Sequence, residues 1–189
     1  GGHNTYEVTV SKTPVSSTAE DIDLLVALNT ETVKRHAHEL SHGAAIVYDP
    51  ATTTVTMTEH LKKLNIKLVQ VPIVEIAKQA NGPIVMRNTI ALGATQALLG
   101  LPFALLAGVV KKTLSHKSQV LEANLKAAKL GYDHVKKRVE SIDFKVTLPV
   151  REEAEELLLT GNDALSLGAM AAGLQFYVAY PMTPSSSIL

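Results

Sequence analysis

The sequence predicts an α/β protein with a mainly parallel β-sheet and flanking helices. Two apolar runs, at 21–28 (DIDLLVAL) and 44–48 (AAIVY), have the continuous hydrophobicity of strands that are covered on both faces. Helical stretches alternate with these runs, which is typical of a parallel sheet. Apolar residues make up 46% of the 189 residues, enough for a hydrophobic core.

The first elements follow from local patterns. The alternation of Thr5–Ser11 (TYEVTVS) predicts an N-terminal strand. Asn29 follows the first apolar run and is a good N-cap, so we expect a helix from there to about Leu40. Gly43 is placed to end that helix before the second apolar run.

Two further strands and a short helix are predicted next. Val55–Thr58 and Ile66–Val71 are the candidate strands, and Val74–Ala80 is the candidate helix. The residues Asn-Gly-Pro at 81–83 are typical of a stop after that helix.

The stretch Thr89–Val110 carries no charge and resembles a membrane span in its composition. Its central residues Gly100, Leu101 and Pro102 favour a break into two helices, because proline removes a backbone hydrogen bond. We therefore expect a pair of buried helices in place of a membrane span.

A long helix follows, and its apolar residues recur at intervals of three and four, which places them on one face. These residues are Leu121, Leu125, Ala128, Tyr132, Val135 and Val139. The segment 151–156 (REEAEE) is highly charged and suits a connection between two domains. The next stretch has small residues at helical spacing, and an apolar run at Phe176–Ala179 predicts a strand after it.

Composition excludes several classes of function. Eighteen basic residues balance eighteen acidic ones and are dispersed, so we expect neither nucleic acid nor an anionic membrane as a partner. Cysteine is absent, which excludes disulfides, thiolate nucleophiles and an iron–sulfur cluster bound by this chain. We expect a cytoplasmic setting. Since the first residue is glycine, we also expect the start to be processed, truncated or left by cloning.

One short motif suggests a zinc hydrolase as a remote alternative. His38, Glu39 and His42 match the HExxH pattern, in which two histidines one helical turn apart bind zinc. The expected helix end at Gly43 argues against it, since His42 would then lie at a fraying terminus. We expect no metal ligands in this chain.

The C-terminal stretch FYVAYPMTPSSSIL at 176–189 predicts a polar turn after a strand. Pro184 biases Thr183 towards an extended conformation and is itself favoured at the first position of a helix. Thr183 would then be the N-cap, with its hydroxyl beside the free N–H groups, a combination that can receive a carboxylate. An ordinary capped turn without a ligand is the alternative.

The same stretch belongs to a longer set of motifs. These are GNDAL at 161–165, GA at 168–169, AG at 172–173 and YPMTPSS at 180–186. Together they resemble the start of the thiamine-diphosphate-binding alpha region of the 2-oxoacid:ferredoxin oxidoreductase family. Met182 replaces the isoleucine usual in that family, a volume-conserving change.

The preceding residues resemble the gamma domain of the same family. The similar stretches are GGHNTY at 1–6, LVALN at 25–29, NTIALGA at 88–94, NLKA at 124–127 and GY at 131–132. The resemblance implies a Rossmann-like gamma domain at 1–142, a linker at 143–158 and, at 159–189, the first helix and strand of the alpha domain. Against the family pattern, the first strand and glycine-rich loop of the gamma domain are lacking, so we expect a fragment of a fused gamma–alpha subunit, inactive by itself.

The resemblance also implies a function. The intact enzyme would decarboxylate a 2-oxoacid oxidatively to an acyl-CoA and reduce ferredoxin, with 2-oxoglutarate favoured over pyruvate. Thr183 would hydrogen-bond the substrate, and Tyr180 and Pro181 would form the wall beside the thiamine aminopyrimidine. No catalytic acid or base is expected in this chain. Thiamine diphosphate with magnesium would be shared with a beta subunit that also carries the iron–sulfur cluster, and coenzyme A would be the co-substrate.

The expected partners are therefore the beta subunit, ferredoxin and a second copy of the heterodimer. The alternative from a different class is a non-catalytic α/β module for subunit assembly, in which the motif at 180–186 is only a capped turn.

Overall fold

The structure is a computed structural model that describes residues 3–13, 15, 17, 21–80, 86–115, 118–150, 159–183 and 185–188. It divides into two compact units, Gly1–Val150 and Arg151–Leu189, which are described separately below. The linker predicted at 143–158 lies partly outside the described residues, and the expected domain boundaries stay a prediction. Residues 143–150 belong to the first unit.

The first unit is built on a parallel sheet, as the sequence predicted. Its strands are β1 (Ile22–Ala27), β2 (Leu40–Tyr48) and β3 (Lys67–Gln70), in the order β1-β2-β3. Both pairings are parallel. In central β2, residues 44–48 are buried without interruption, which explains their continuous apolar sequence.

Helices cover both faces of this sheet. They are α1 (Thr30–His36), α2 (Glu59–Lys63), α3 (Ile73–Gln79), α4 (Arg87–Leu98), α5 (Phe103–Leu114), α6 (Ser118–Lys136) and α7 (Val139–Ile142). On one face, Val33 of α1 and Leu61 of α2 share a core with Ile46 of β2. On the other face, Val47 of β2 shares a larger core with α3, α4 and α6.

The two helices expected at 89–110 are α4 and α5, separated by a turn at Gly100. Gly100 has φ +76°, a conformation that favours glycine. The hydroxyl of Tyr132 in α6 donates a hydrogen bond to the Leu101 carbonyl in this turn, at 3.1 Å. Within the described parts of the chain, no helix has the length and apolarity needed to cross a membrane.

The helix expected from Asn29 to Leu40 ends earlier than predicted. Asn29 is the N-cap, since its side chain accepts a hydrogen bond from the Thr32 amide at 2.9 Å. The helix stops at His36, a 3-10 turn covers Ala37–Glu39, and β2 already begins at Leu40. Gly43 therefore does not cap a helix: it lies inside β2 with φ +78°, and its amide donates to the Leu64 carbonyl at 2.7 Å.

Three predicted strands do not form. Thr5–Ser11, Val55–Thr58 and Phe176–Ala179 pair with no strand of the described chain. Their alternating or apolar sequences suit a strand, but a strand also needs a neighbour for its backbone groups. Without one the side chains stay exposed, as for Tyr6 at 93% and Phe176 at 81%.

The second unit contains one helix and a short C-terminal turn. Helix α8 (Gly161–Ala171) agrees with the helix expected in this region. It has no buried residues, and a Cβ atom on Gly168 would meet nothing within 4 Å. A 3-10 turn at Ser185–Ser187 follows residues 174–180, which form no regular element.

Candidate functional site

The predicted substrate site lies in a turn of the second unit, residues 180–187, which we call the terminal corner. Ser185 holds this turn together. Its hydroxyl is 2.7 Å from the Tyr180 carbonyl oxygen and 2.6 Å from that of Met182. The Ser185 amide also donates to the Met182 carbonyl, at 2.9 Å. Hydrogen bonds within the corner thus define its shape.

Thr183 is exposed at the tip of the terminal corner. Its hydroxyl has no hydrogen-bond partner among the described residues, and is free to meet a ligand. The helix expected after it is only the three-residue 3-10 turn that begins at Ser185. Pro184 lies outside the described residues, so the N-cap role of Thr183 stays a prediction.

The predicted cofactor wall is also open. Tyr180 is 77% exposed and Met182 63% exposed, and Pro181 between them is exposed as well. Three neighbouring side chains of this kind present apolar surface that a flat ring can cover. The role of Tyr180 and Pro181 beside an aminopyrimidine remains a prediction.

Helix α8 begins with a capping box. The Thr160 hydroxyl accepts the Asp163 amide at 3.2 Å, and Asp163 Oδ2 accepts the Thr160 amide at 2.9 Å. The Thr160 hydroxyl is also 2.6 Å from the same carboxylate oxygen. These hydrogen bonds from Thr160 lower the pKa of Asp163. The Asp163 carboxylate therefore serves to cap the N-terminus of α8.

The terminal corner is attached to α8 by two side chains. The Asn162 amide nitrogen lies 2.5 Å from the Ser187 hydroxyl. The Ser166 hydroxyl is 2.8 Å from the Ile188 carbonyl and 3.0 Å from that of Asn162. Because both side chains come from the first two turns of α8, the start of the helix supports the corner.

The charges of the second unit limit what it can hold. Asp163 is the only charged side chain among residues 159–183 and 185–188. A diphosphate needs cationic groups or free helix N–H groups, and magnesium needs several oxygen ligands. The described corner can therefore supply a hydroxyl and an apolar wall to thiamine diphosphate, but not the ligands of its diphosphate and metal.

The carboxyl edge of the sheet in the first unit was the other natural place for a site. Asp49 follows β2 there and is 3% exposed. One of its carboxylate oxygens accepts the Ala51 amide at 2.9 Å, and the other accepts the Val74 amide at 2.8 Å. With both oxygens held by the backbone, Asp49 connects β2 to the start of α3.

The zinc-hydrolase alternative is wrong. His38 lies in the 3-10 turn and His42 lies in β2, so the two side chains are not one helical turn apart. Glu39 instead accepts a hydrogen bond from His36. Among the residues that the structure describes, no three His, Asp or Glu side chains are placed to hold a metal ion.

Sequence reasoning missed His36, which the structure places between two other polar side chains. Its Nδ1 is 2.8 Å from Glu39 Oε2, and its Nε2 is 3.1 Å from Nε2 of His3. His36 and Glu39 lie on different helical turns, and His3 is far away in sequence. No local sequence motif indicates that His3, His36 and Glu39 come together.

A small cavity of about 220 Å³ lies at the amino edge of the sheet. Asp143 sits in its wall between Lys67, at 3.2 Å, and Lys145, at 2.5 Å. The hydrogen bonds from Lys145 and Lys67 lower the pKa of Asp143. Asp23 also lines the cavity, so two lysines face two aspartates and the cavity has no surplus charge that would select an ion.

Comparison with known proteins gives these observations a context. Residues 1–134 match the model of the family described as pyruvate ferredoxin/flavodoxin oxidoreductase. This range contains the whole parallel sheet and nearly all of α6.

Two curated relatives illustrate the range of similarity. The chain is 24% identical to 2-oxoacid:ferredoxin oxidoreductase 2, subunit alpha, of Aeropyrum pernix, an alignment that covers 98% of the chain and 35% of the relative. It is 33% identical to ketoisovalerate oxidoreductase subunit VorA of Methanothermobacter marburgensis, over 74% of the chain and 29% of the relative. The chain thus spans about a third of the length of these relatives.

A solved structure is similar over almost the whole chain. It is the 2-oxoglutarate:ferredoxin oxidoreductase of Magnetococcus marinus, with 2-oxoglutarate, coenzyme A and succinyl-CoA bound. The TM-score is 0.76 at 27% sequence identity, and the match covers 94% of this chain and 31% of that one. The α/β fold with its parallel sheet is therefore shared with that enzyme.

Proposed function

Because the chain belongs to the pyruvate ferredoxin/flavodoxin oxidoreductase family, we propose that it forms part of an enzyme that converts a 2-oxoacid oxidatively to an acyl-CoA and reduces ferredoxin. The names of its relatives support a 2-oxoacid as substrate and ferredoxin as acceptor. The solved relative, with coenzyme A and succinyl-CoA bound, supports the acyl-CoA product. The proposal keeps the cytoplasmic setting expected from the sequence.

The proposed substrate is 2-oxoglutarate in preference to pyruvate. The solved relative, which matches 94% of the chain, binds 2-oxoglutarate. Ketoisovalerate is the competing substrate, since a relative named for it is 33% identical over a shorter range. Comparing kcat/KM for 2-oxoglutarate, pyruvate and ketoisovalerate in the purified complex tests this choice, and a higher value for either competitor would overturn it.

In this proposal the terminal corner contacts the substrate and the cofactor. The free hydroxyl of Thr183 donates a hydrogen bond to an oxygen of the 2-oxoacid, and Tyr180 and Pro181 pack beside the aminopyrimidine ring. Bound thiamine diphosphate supplies the carbanion stabilisation that decarboxylation requires. Its diphosphate and magnesium are held mainly by a beta subunit, which also carries the iron–sulfur cluster, because the described corner lacks ligands for them.

The first unit has a separate role in the proposal. It packs over the approach of coenzyme A and holds subunits together, including a second copy of the heterodimer. The exposed apolar side chains of α5, among them Leu105 at 47% and Val109 at 63%, are available for such contacts.

One observation carries the proposed site: Thr183 presents a free, exposed hydroxyl on a turn that Ser185 fixes. The test is Thr183→Ala in the complete complex, assayed for 2-oxoacid-dependent ferredoxin reduction. We expect turnover to fall at least about tenfold, the scale of one lost positioned hydrogen bond. Thr183→Ser restores the hydroxyl and should recover most of the activity.

Thr56→Ala is the matched control, because Thr56 is an exposed threonine in the loop before α2 of the first unit. It should leave turnover unchanged. Unchanged turnover in Thr183→Ala would remove this residue from the site. If that variant is fully active and the complex still requires the chain for assembly, the non-catalytic assembly module becomes the better hypothesis.

A further inference from the structure

Three side chains of the first unit form a connected row that we call the histidine chain: Glu39, His36 and His3. Glu39 Oε2 is 2.8 Å from His36 Nδ1, and His36 Nε2 is 3.1 Å from His3 Nε2. The two ring centroids are 5.3 Å apart and the ring planes differ by 27°. With their Nε2 atoms this close and their centroids this far apart, the imidazoles meet nearly end to end, as a hydrogen bond requires.

The row fixes which nitrogen carries each proton. An ionised carboxylate can only accept, so His36 donates to Glu39 through Nδ1–H. In a neutral His36, Nε2 then has a lone pair and accepts, so His3 must donate through Nε2–H. This leaves Nδ1 of His3 as a lone-pair nitrogen, and among the described residues it has no hydrogen-bond partner.

The surrounding charges leave Glu39 as the carboxylate that serves the imidazoles. Glu31 of α1 also lies near His3, but it is paired with Arg35 at 2.6 Å, and that guanidinium lowers the pKa of Glu31. His38 approaches the other oxygen of Glu39 only to 3.7 Å and is 75% exposed. Lys34 also acts on Glu31.

The centre of the row is the best place for a positive charge, because His36 is the imidazole that is hydrogen-bonded to a carboxylate. The side chain of His36 is 15% exposed and that of Glu39 is 31% exposed. An imidazolium at His36 would lie beside a partly buried carboxylate, where their attraction is less screened than at the surface. At His3 the same charge would have no hydrogen-bonded carboxylate.

We propose that the histidine chain is a proton relay whose outer base is Nδ1 of His3. A weakly acidic O–H or S–H group of a ligand gives its proton to Nδ1 of His3 and keeps the electron pair as an anion. The Nε2 proton of His3 passes to Nε2 of His36, and the positive charge remains on His36 beside Glu39. One proton enters, one proton moves between the rings, and no electron is transferred. The carboxylate orients and stabilises an imidazolium, as it does in a Ser-His-Asp triad.

The relay makes a prediction about tautomers that a purely structural hydrogen bond does not. Before proton uptake, His3 is protonated on Nε2 and His36 on Nδ1. After uptake of one proton, His36 is protonated on both nitrogens and His3 is protonated on Nδ1 only. Nitrogen chemical shifts of the chain labelled with 15N-histidine, followed from pH 8 downwards, distinguish these states. The proton itself is the probe, so the result does not depend on the proposed oxidoreductase activity.

Two variants and one control complete the experiment. In Glu39→Gln the first proton should enter at a lower pH than in the wild type, because the stabilising carboxylate is gone. In His36→Gln the side-chain oxygen takes the place of Nε2 and can still accept from His3 but cannot take its proton. His3 should therefore keep its Nε2 proton and become the imidazolium itself. His38→Asn should leave both histidines as in the wild type. Backbone amide spectra verify that each variant is folded.

Either of two results would overturn the relay. One is a His3 that is protonated on Nδ1 at pH 8, since His3 would then accept the hydrogen bond from His36 and could not pass a proton to it. The other is a His3 titration that is the same in the wild type, Glu39→Gln and His36→Gln, since it would mean that the three side chains do not share protons.

Discussion

Gly93 of α4 lies against the backbone of Ala128 in α6, so that a Cβ atom on Gly93 would be 2.1 Å from the Ala128 carbonyl oxygen. The contact is reciprocal, because a Cβ atom on Gly131 of α6 would be 2.3 Å from the Ile90 carbonyl oxygen of α4. Real Cβ atoms cannot approach so closely. The two helices that form the centre of the larger core therefore meet backbone to backbone.

Gly93→Ala should accordingly destabilise the first unit by about 1–3 kcal/mol, since the helices must separate to admit the methyl group. The measurement is the free energy of unfolding from a denaturant titration. Gly108→Ala is the matched control: Gly108 is also helical, but a Cβ atom there meets nothing within 4 Å. Better helix propensity should make that variant up to about 1 kcal/mol more stable. Equal stability of the two variants would contradict the close crossing.

Asp49→Asn should also destabilise the first unit, because the amide keeps one acceptor oxygen and loses the other. The backbone N–H of either Ala51 or Val74 then loses its partner beside the buried Asp49 side chain, at a cost of about 1–3 kcal/mol. Asp133→Asn removes an exposed ion pair with Lys129 and should cost about 0–1 kcal/mol. The measurement is the loss of stability of each variant in thermal unfolding. An Asp49→Asn variant as stable as Asp133→Asn would argue against the structural role of Asp49.

His134 should make the stability of the first unit depend on pH. Burial, with Arg138 nearby, lowers the pKa of His134, while its Nε2 lies 3.3 Å from the Gln70 carbonyl. The folded state thus favours the neutral imidazole, and the unfolded state binds the proton more readily. The stabilisation is present above a pH of about 6.5, the ordinary value for histidine, and is lost as the pH falls through the lowered folded value.

The comparison is with His134→Gln, which retains a donor for the Gln70 carbonyl but does not titrate. Unfolding free energies of the wild type and the variant, measured from pH 8 to pH 5, should diverge below about pH 6.5, with the wild type losing more. Parallel curves for the two proteins would show that His134 does not contribute to the pH dependence.

Thr160→Ala removes one half of the capping box and should weaken the start of α8 by about 1 kcal/mol. Because Asn162 and Ser166 attach the terminal corner to the first turns of this helix, the corner should loosen as well. Amide hydrogen exchange should become faster at Asp163 and at Ser185, while Thr160→Ser should behave as the wild type. Faster exchange at Asp163 but not at Ser185 would show that the order of the terminal corner does not depend on the start of α8.

The sequence predicted the sheet better than it predicted the segments around it. The apolar runs at 24–27 and 44–48 belong to strands that contact the cores on both sides of the sheet, and their composition alone indicates this. The alternating segment at 5–11 has equally good strand composition but no partner strand among the described residues. Strand formation depends on a neighbour, which a local pattern does not reveal.

Glycine was the other source of error. Gly43 was interpreted as the end of a helix, whereas its positive φ is used within β2, where its amide bonds to Leu64. A glycine in a sequence indicates that the backbone can adopt a positive φ, but it does not indicate whether a helix end or a strand adopts it. The same ambiguity did not affect Gly100, because the neighbouring Pro102 independently required a break between α4 and α5.

The candidate site could be predicted only in part. The motif predicts the hydroxyl of Thr183 and the apolar residues around it; the structure shows them exposed, and their role in a site stays a prediction. The bonds of Ser185 and the grouping of His3 with His36 depend on how the chain folds back on itself. No spacing rule in the sequence anticipates them.

The two hydrogen bonds from Ser185 to the carbonyls of Tyr180 and Met182 have a consequence for affinity. A turn that is held by its own side chain loses little conformational entropy when a ligand arrives, so more of the contact energy is retained as binding free energy. Replacing Ser185 by alanine would then weaken ligand binding without removing any atom that touches the ligand.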